Sequence, residues 1–158
     1  MKQQKTNVMR LLDAARIEYE AFYYDTKDNR LDGVSVADKM GQNKDHVFKT
    51  LVTISQSGSL YVFVIPVQSE LNLKKAAAAV KEKNVVMIPQ KDLLPKTGYI
   101  HGGCSPIGMK KPYPVTVHSS AADLPKMVFS GGKVGTQVCM APNDLIKMVN
   151  GKFADITN

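Results

Sequence analysis

Tryptophan is absent from the chain, cysteine occurs only twice, and no arginine follows Arg30. Two cysteines, Cys104 and Cys139, cannot build a disulfide framework, and their separation gives no C-x-x-C pair. A fold stapled by disulfides and a zinc ribbon are therefore set aside, and a reduced compartment is expected. No stretch approaches the ~20 consecutive apolar residues that a membrane span requires. The opening Met1-Lys2-Gln3-Gln4-Lys5 runs into a helical pattern without the apolar core of a secretory leader, which gives the expectation of a cytoplasmic protein with no membrane partner.

What is present is positive charge. Against 14 acids stand 21 basic residues, a net charge of +7 in 158 residues, with a pI near 9.4. A moderately basic chain of this size attracts polyanions. The charge falls mainly on lysines, at Lys74-Lys75, Lys81, Lys83, Lys91, Lys96 and Lys110-Lys111. Lysine meets phosphate as a point charge, whereas reading bases calls for arginine forks. A solvated surface kept for solubility has the same composition, so charge alone leaves both readings open.

The length suits one domain, over 1–158, with a core that needs no metal or disulfide. Apolar spacing predicts helices at 6–16, with Thr6 as N-cap, at 34–40 ahead of Gly41, at 73–83 behind Asn72, and at 142–150 ahead of Gly151. A helical turn over 91–97 ends at Pro95 and Gly98. Strands are predicted at 17–24, 47–54, 60–66, 85–88, 115–118, 126–129 and 136–140, with 152–156 as an edge strand. Residues 47–54 and 60–66, joined across Ser55–Ser59, read as a hairpin apolar enough to be central. Seven to nine strands among four or five helices, with no regular βαβ cycle, argue an α/β (α+β) fold with a mixed sheet curled partly into a barrel.

The chemistry-bearing stretch is Gly102-Gly103-Cys104-Ser105-Pro106-Ile107-Gly108, preceded by His101. Three glycines and one proline in seven residues make a backbone that turns sharply and approaches another molecule closely. A tight connection between strands has the same composition. A second glycine loop, Ser130-Gly131-Gly132-Lys133-Val134-Gly135, lacks the spacing and the Ser/Thr of a phosphate-binding Walker A loop, which disfavours nucleotide hydrolysis. No G-x-S-x-G elbow occurs, so Ser-His-Asp catalysis has no local sign. His101 and Cys104 make two metal ligands at a spacing of three, with His46, His118 and Cys139 scattered, short of a metal site; no cofactor is expected. A Cys104 nucleophile activated by loop amides, with His101 or His118 as base, competes with Cys104 as a small apolar residue lining a pocket. Lys49 is a charge inside a hydrophobic strand, and an ammonium buried there must find a partner or lose its proton. What remains is a site of backbone N–H groups from two glycine loops with one interior lysine, able to stabilise the oxyanion of acyl transfer if water or the substrate supplies the nucleophile.

Phe48-Lys49-Thr50-Leu51, Leu71-Asn72-Leu73-Lys74-Lys75-Ala76-Ala77, Thr97 through Gly108, Ser130-Gly131-Gly132-Lys133 and Ala141-Pro142-Asn143-Asp144-Leu145 stand in the order of the YbaK/EbsC group of the prolyl-tRNA synthetase editing-domain superfamily, which the chain resembles from about Thr6 to Ile156. The resemblance implies a single α/β domain around a six- or seven-stranded, barrel-like mixed sheet. It implies a free-standing deacylase of mischarged tRNA, in particular cysteinyl-tRNA(Pro), and with it prolyl-tRNA synthetase as a partner. Deacylation of Ala- or Ser-charged tRNA, and a degenerate tRNA- or synthetase-binding module, are the alternatives. Carried over residue by residue, Lys49 contacts the phosphate or ribose at the tRNA 3′ end with Thr50 beside it. Gly102, Gly103, Cys104, Ser105 and Pro106 form a G-x-x-x-P loop whose amides hold the aminoacyl carbonyl. Tyr24, Ser130, Gly131 and Gly132 complete the substrate site. In this group the substrate thiol attacks its own ester, so neither a metal nor a protein nucleophile is implied. Two positions depart from the group: Cys104 where an aliphatic residue is expected, and Leu31-Asp32 before Gly33 where an aromatic is usual.

Overall fold

Thr6 starts the first helix. In the computed structural model, which describes residues 5–158, its hydroxyl accepts from Met9 N at 3.3 Å and helix α1 runs Asn7–Ala14. The opening Met1–Gln4, read above for the lack of a leader, lies outside the described residues. Strand β1 is Glu20–Tyr23, shorter than the alternation at 17–24 suggests. Arg16 turns left-handed (φ 58°) and Ile17 N still donates to Leu12 O, so the helix end consumes the first residues of the pattern.

Helix α2 (Gly33–Lys39) is capped by Asp32, whose carboxylate accepts from Ser35 N at 3.1 Å. Strands β2 (Phe48–Ser55) and β3 (Leu60–Pro66) form the expected hairpin, in register from Phe48 opposite Pro66 to Ile54 opposite Leu60. Helix α3 (Leu73–Ala79) is shorter than predicted, because Lys81 adopts φ 60° and Glu82 N closes back on Ala77 O. Strand β4 (Val85–Met87) leads to helix α4 (Gln90–Thr97), which passes through Pro95 and ends at left-handed Gly98. After the first glycine loop come β5 (Val115–His118), β6 (Met127–Ser130), β7 (Thr136–Met140), helix α5 (Pro142–Val149) and β8 (Lys152–Ala154). At the end of α5 the left-handed residue is Asn150 (φ 51°), not Gly151. Gly151 is required for space, since a Cβ there would lie 2.9 Å from Val115 O.

The eight strands form two sheets, one ordered β1-β7-β6 and one ordered β4-β2-β3-β5-β8 with parallel β3–β5 and β5–β8 pairs. The fold is mixed α/β, as expected, but the sheets do not close into a barrel. Among the described residues one isolated parallel backbone bridge, Val47 with Val128, links the two sheets where β6 runs beside β2. The main core lies between them. Val62 and Val64 of β3 meet Phe129 and Val138 of the smaller sheet, with Val8, Met9 and Leu12 of α1 and Leu145 of α5 closing the ends. The alternate residues of β3, Phe63 and Ile65, pack on the opposite face against Ala76 and Ala77 of α3. β3 is therefore buried on both faces, which explains its unbroken apolar run. A third cluster, Ala37, Val47, Val67 and Val128, seats α2 over the bridge. Among the described residues no helix is long and apolar enough to cross a membrane.

Candidate active site

The backbone of β2 sets the site. Val67 N donates to Val47 O and Ser55 N to Ser59 O, so odd-numbered residues bond to β3. Even-numbered residues therefore turn their N–H and C=O groups to the other edge, where Val52 O accepts from Ile88 N. That edge is covered by β4 only from Thr53 onward and meets β6 only at Val47. Between the two it opens, at Phe48–Leu51, into a cavity of about 630 Å³. The volume lies within the usual range for small-ligand pockets.

Lys49 and Thr50 line this cavity. Lys49 is half-buried, not enclosed as its apolar neighbours suggest, and among the described residues no carboxylate pairs with it. The Thr50 hydroxyl oxygen is buried and has no hydrogen-bond partner. Leaving such a group unmet costs about 1–3 kcal/mol.

The two glycine loops close the opposite wall. Gly102 (φ 87°) and Cys104 line the cavity, as does Ser130 at the start of the second loop. Gly103 faces the other way: a Cβ there would come 3.1 Å from Val134 N, so its bareness lets the first loop lie against the second. Its N–H is committed to Ile100 O at 3.0 Å. Ser105 is fully buried and its hydroxyl accepts from Ile107 N at 3.3 Å, while Pro106 is buried and has no N–H. In the second loop Gly131 N donates to Thr136 O, and Gly132 N donates to the Ser130 hydroxyl at 3.1 Å. Of the expected cradle, Gly102 and Cys104 line the cavity, and among the described residues their N–H groups have no protein acceptor. Gly103, Ser105, Pro106, Gly131 and Gly132 shape the loops behind it.

Tyr99 braces both loops, a role its sequence position does not reveal. Its hydroxyl donates to Ile107 O, and its ring sits where a Cβ on Gly132 (φ 94°) would lie 3.3 Å away. Burial, with the neighbouring Cys104, pushes its phenol up to about 12, so it stays a donor.

The third wall is the 24–34 segment. Tyr24, Asn29, Leu31, Asp32 and Gly33 line the cavity. Lys39 ties them down, donating to Asp25 O at 2.9 Å and to Asp28 Oδ1 at 2.8 Å, with its ammonium 5.8 Å from the centre of the Tyr24 ring. Gln137 lines the cavity from β7 and exchanges amide hydrogen bonds with Gln42, 95 residues away in sequence, at 2.8 and 3.3 Å. The Asp32 cap is foreshadowed by its spacing to Ser35. The Lys39 and Gln42 contacts are tertiary and carry no local signal.

Cys104 is 8% exposed, and burial pushes its thiol up to about 12. Burial thus acts against the thiolate that one of the two expectations requires. His101 lines the cavity, and no hydrogen bond joins it to Cys104 among the described residues. His118 lies elsewhere, its Nδ1 accepting from Ile156 N at 3.3 Å. Among the described residues no three His, Cys, Asp or Glu side chains gather as a metal site. The cavity wall therefore brings together the Lys49 ammonium, the backbone of Gly102 and Cys104 and the polar side chains of His101, Ser130 and Gln137, with the Asp32 carboxylate on the third wall. Such a set suits a substrate with an anionic group and a polarised carbonyl.

A protein with this layered fold and donor-lined cavity is of the aminoacyl-tRNA editing class, and the chain belongs to the aminoacyl-tRNA editing domain family, whose model it matches over residues 32–148. It is 43% identical over 155 residues to the "Putative Cys-tRNA(Pro)/Cys-tRNA(Cys) deacylase EbsC" of Enterococcus faecalis, covering 98% of this chain and 94% of that one. Crystal structures share the fold at low identity. The "hypothetical protein APE2540" superposes with a TM-score of 0.86 at 19% identity, covering 96% of this chain and 99% of its own. A "putative trans-editing enzyme for prolyl tRNA synthetase" superposes at 0.79 and 18%, covering 98% and 99%.

Proposed function

We propose that this protein is an aminoacyl-tRNA deacylase that acts in trans in the cytoplasm and removes cysteine from mischarged tRNA(Pro). The observation that carries the reading is the cavity's donor set: Lys49 unpaired, the Gly102 and Cys104 amides unspent, and the thiol there held protonated. Burial holds the Cys104 thiol well above its ordinary range, which supports a reading in which Cys104 is not the nucleophile. The attacking group belongs to the substrate. Lys49 holds the terminal phosphate or ribose of the tRNA, and the Thr50 hydroxyl meets a polar group beside it. The amides of Gly102 and Cys104 polarise the aminoacyl carbonyl. The cysteinyl sulfur bonds to the carbonyl carbon as the ester C–O bond breaks. The thiol proton passes to the leaving ribose oxygen, and the products are a cyclic thiolactone and free tRNA.

Cysteine and proline are close in size, so a synthetase pocket separates them weakly and a second sieve is required. Prolyl-tRNA synthetase is the partner that supplies selection of the tRNA body, a reading supported by the lysine-based surface, which suits phosphate better than bases. A panel of Cys-, Ala- and Ser-charged tRNA(Pro), with and without the synthetase, tests both parts. Cysteinyl substrate is expected to be cleared fastest, with the synthetase sharpening selectivity for tRNA(Pro). No turnover of cysteinyl substrate, or faster clearance of alanyl substrate, contradicts the assignment.

A further inference from the structure

Residues 81–111 carry six lysines and two acids, so four of the seven net positive charges fall in this one segment. None of these lysines forms a salt bridge among the described residues; the lysine pairs there hold Lys5, Lys39, Lys44 and Lys75. The later part of the segment, 91–111, folds beside the cavity, while Lys81 lies at a second cavity with Tyr61 and Lys152. Lys110 N donates to Thr97 O, Lys110 Nζ to Pro95 O at 3.2 Å, and the Tyr113 hydroxyl to Lys96 O at 2.7 Å. These bonds strap residues 110–113 along the end of α4 and set Lys110 and Lys111 next to Lys96. The same surface exposes large apolar side chains: Leu94 is 51% and Ile100 53% exposed. The neighbouring residues face the cavity, with Leu93 lining it from α4, and His101 and Gly102 lining it from the turn that Ile100 closes.

Unpaired lysines interleaved with exposed apolar side chains, leading to the mouth of a pocket, match the needs of unpaired nucleotides. Phosphates meet the ammonium groups, and unstacked bases lie on apolar surface. We propose that α4 and its 110–113 strap form the docking surface for the single-stranded 3′ segment of an RNA acceptor stem, and guide its terminal nucleotide to the cavity. The proposal rests on the deacylase reading of the cavity, to which it adds the path by which the polymer arrives. Lys91, Lys96 and Lys111 carry the phosphate contacts, and Leu94 and Ile100 carry the base contacts.

The test uses an uncharged RNA minihelix with a four-nucleotide single-stranded 3′ extension, a blunt-ended version of it, and a low-molecular-weight cysteinyl ester. The triple variant K91Q/K96Q/K111Q is expected to bind the extended minihelix at least about tenfold more weakly, with the slope of log affinity against log salt reduced by about 2. L94S/I100S is expected to weaken the extended minihelix at least about threefold, to leave the salt slope unchanged, and not to affect the blunt duplex. All these variants cleave the small ester at the native rate, since none of the altered residues lines the cavity. The proposal is overturned if the native chain does not prefer the extended RNA, or if a control triple at Lys74, Lys126 and Lys147 loses as much affinity. Native RNA binding without cleavage of the ester or of cysteinyl-tRNA sinks the deacylase reading and leaves the surface standing. Ester cleavage with unaltered RNA binding in the variants does the reverse.

Discussion

Gly103 and Gly102 are adjacent, both are glycine, and they do different work. Gly102 is glycine for conformation, at φ 87°, with its nearest neighbour in ordinary contact at 3.7 Å. Gly103 is glycine for space, against the backbone of Lys133–Val134. Alanine at 103 must therefore push the two loops apart by a few tenths of an ångström, and backbone yields poorly. Gly103→Ala is expected to cut deacylation at least about tenfold, since misplacement of a donor by an ångström costs up to about 10² in rate, with a loss of only about 1 kcal/mol in stability. Matched kinetics and chemical denaturation check this; an unchanged rate would show that loop separation does not matter to the site. The sequence marks this stretch as bare backbone, but not which glycine faces ligand and which faces protein. That distinction depends on Val134, some thirty residues away in the chain, and no local pattern encodes it.

At the scale of elements, the segments that carry strong periodicity were legible: the β2–β3 hairpin, its central position, and the helices behind Thr6, ahead of Gly41 and behind Asn72. Boundaries failed where a non-glycine residue turned left-handed, at Arg16, Lys81 and Asn150, because the geometry was imposed by returning backbone hydrogen bonds and not by residue type. The opening in the β2 edge was also hidden, since it arises from where β4 and β6 stop. Tyr99 links the elements around it, joining the end of α4 to both glycine loops. Removing its hydroxyl in Tyr99→Phe strands the Ile107 carbonyl in a buried setting, at a cost of about 1–3 kcal/mol. Thermal unfolding of that variant is expected to begin at lower temperature. Its hydrogen exchange should rise at Ile107–Gly108 and Gly131–Gly132 while the β3 amides stay protected, and uniform protection would remove Tyr99 from its bracing role.

For the whole molecule, the C-terminal residues close the larger sheet through His118. Its Nδ1 accepts from Ile156 N, Lys75 Nζ bonds Asp155 Oδ2 at 3.0 Å and Thr157 O at 2.9 Å, and Leu71 bridges Thr157. Burial, aided by Lys75 and opposed by Asp155, holds the His118 imidazole below its ordinary 6.5. The unfolded chain therefore binds the proton more readily than the folded one. This contribution to stability is complete above about pH 6.5 and is lost as pH falls toward the lowered folded value. His118→Gln is expected to flatten that part of the stability profile, measured by denaturation between pH 5 and 7.5, and an unaltered slope would place the pH dependence elsewhere. Two sheets joined by one bridge also account for the cavity itself: a closed barrel would have paired the β2 edge and removed it. In the proposed reaction the attack is substrate-borne, Lys49 positions the RNA end, and Cys104 acts through its amide while its side chain takes no part. The most direct test compares initial rates of cysteinyl-tRNA(Pro) deacylation by the native protein, Lys49→Ala and Cys104→Ala. Lys49→Ala should lose about 10²-fold or more, in line with loss of a positioning charge, and Cys104→Ala should stay within about threefold of native. Full activity in Lys49→Ala, or an inactive but folded Cys104→Ala, would contradict it.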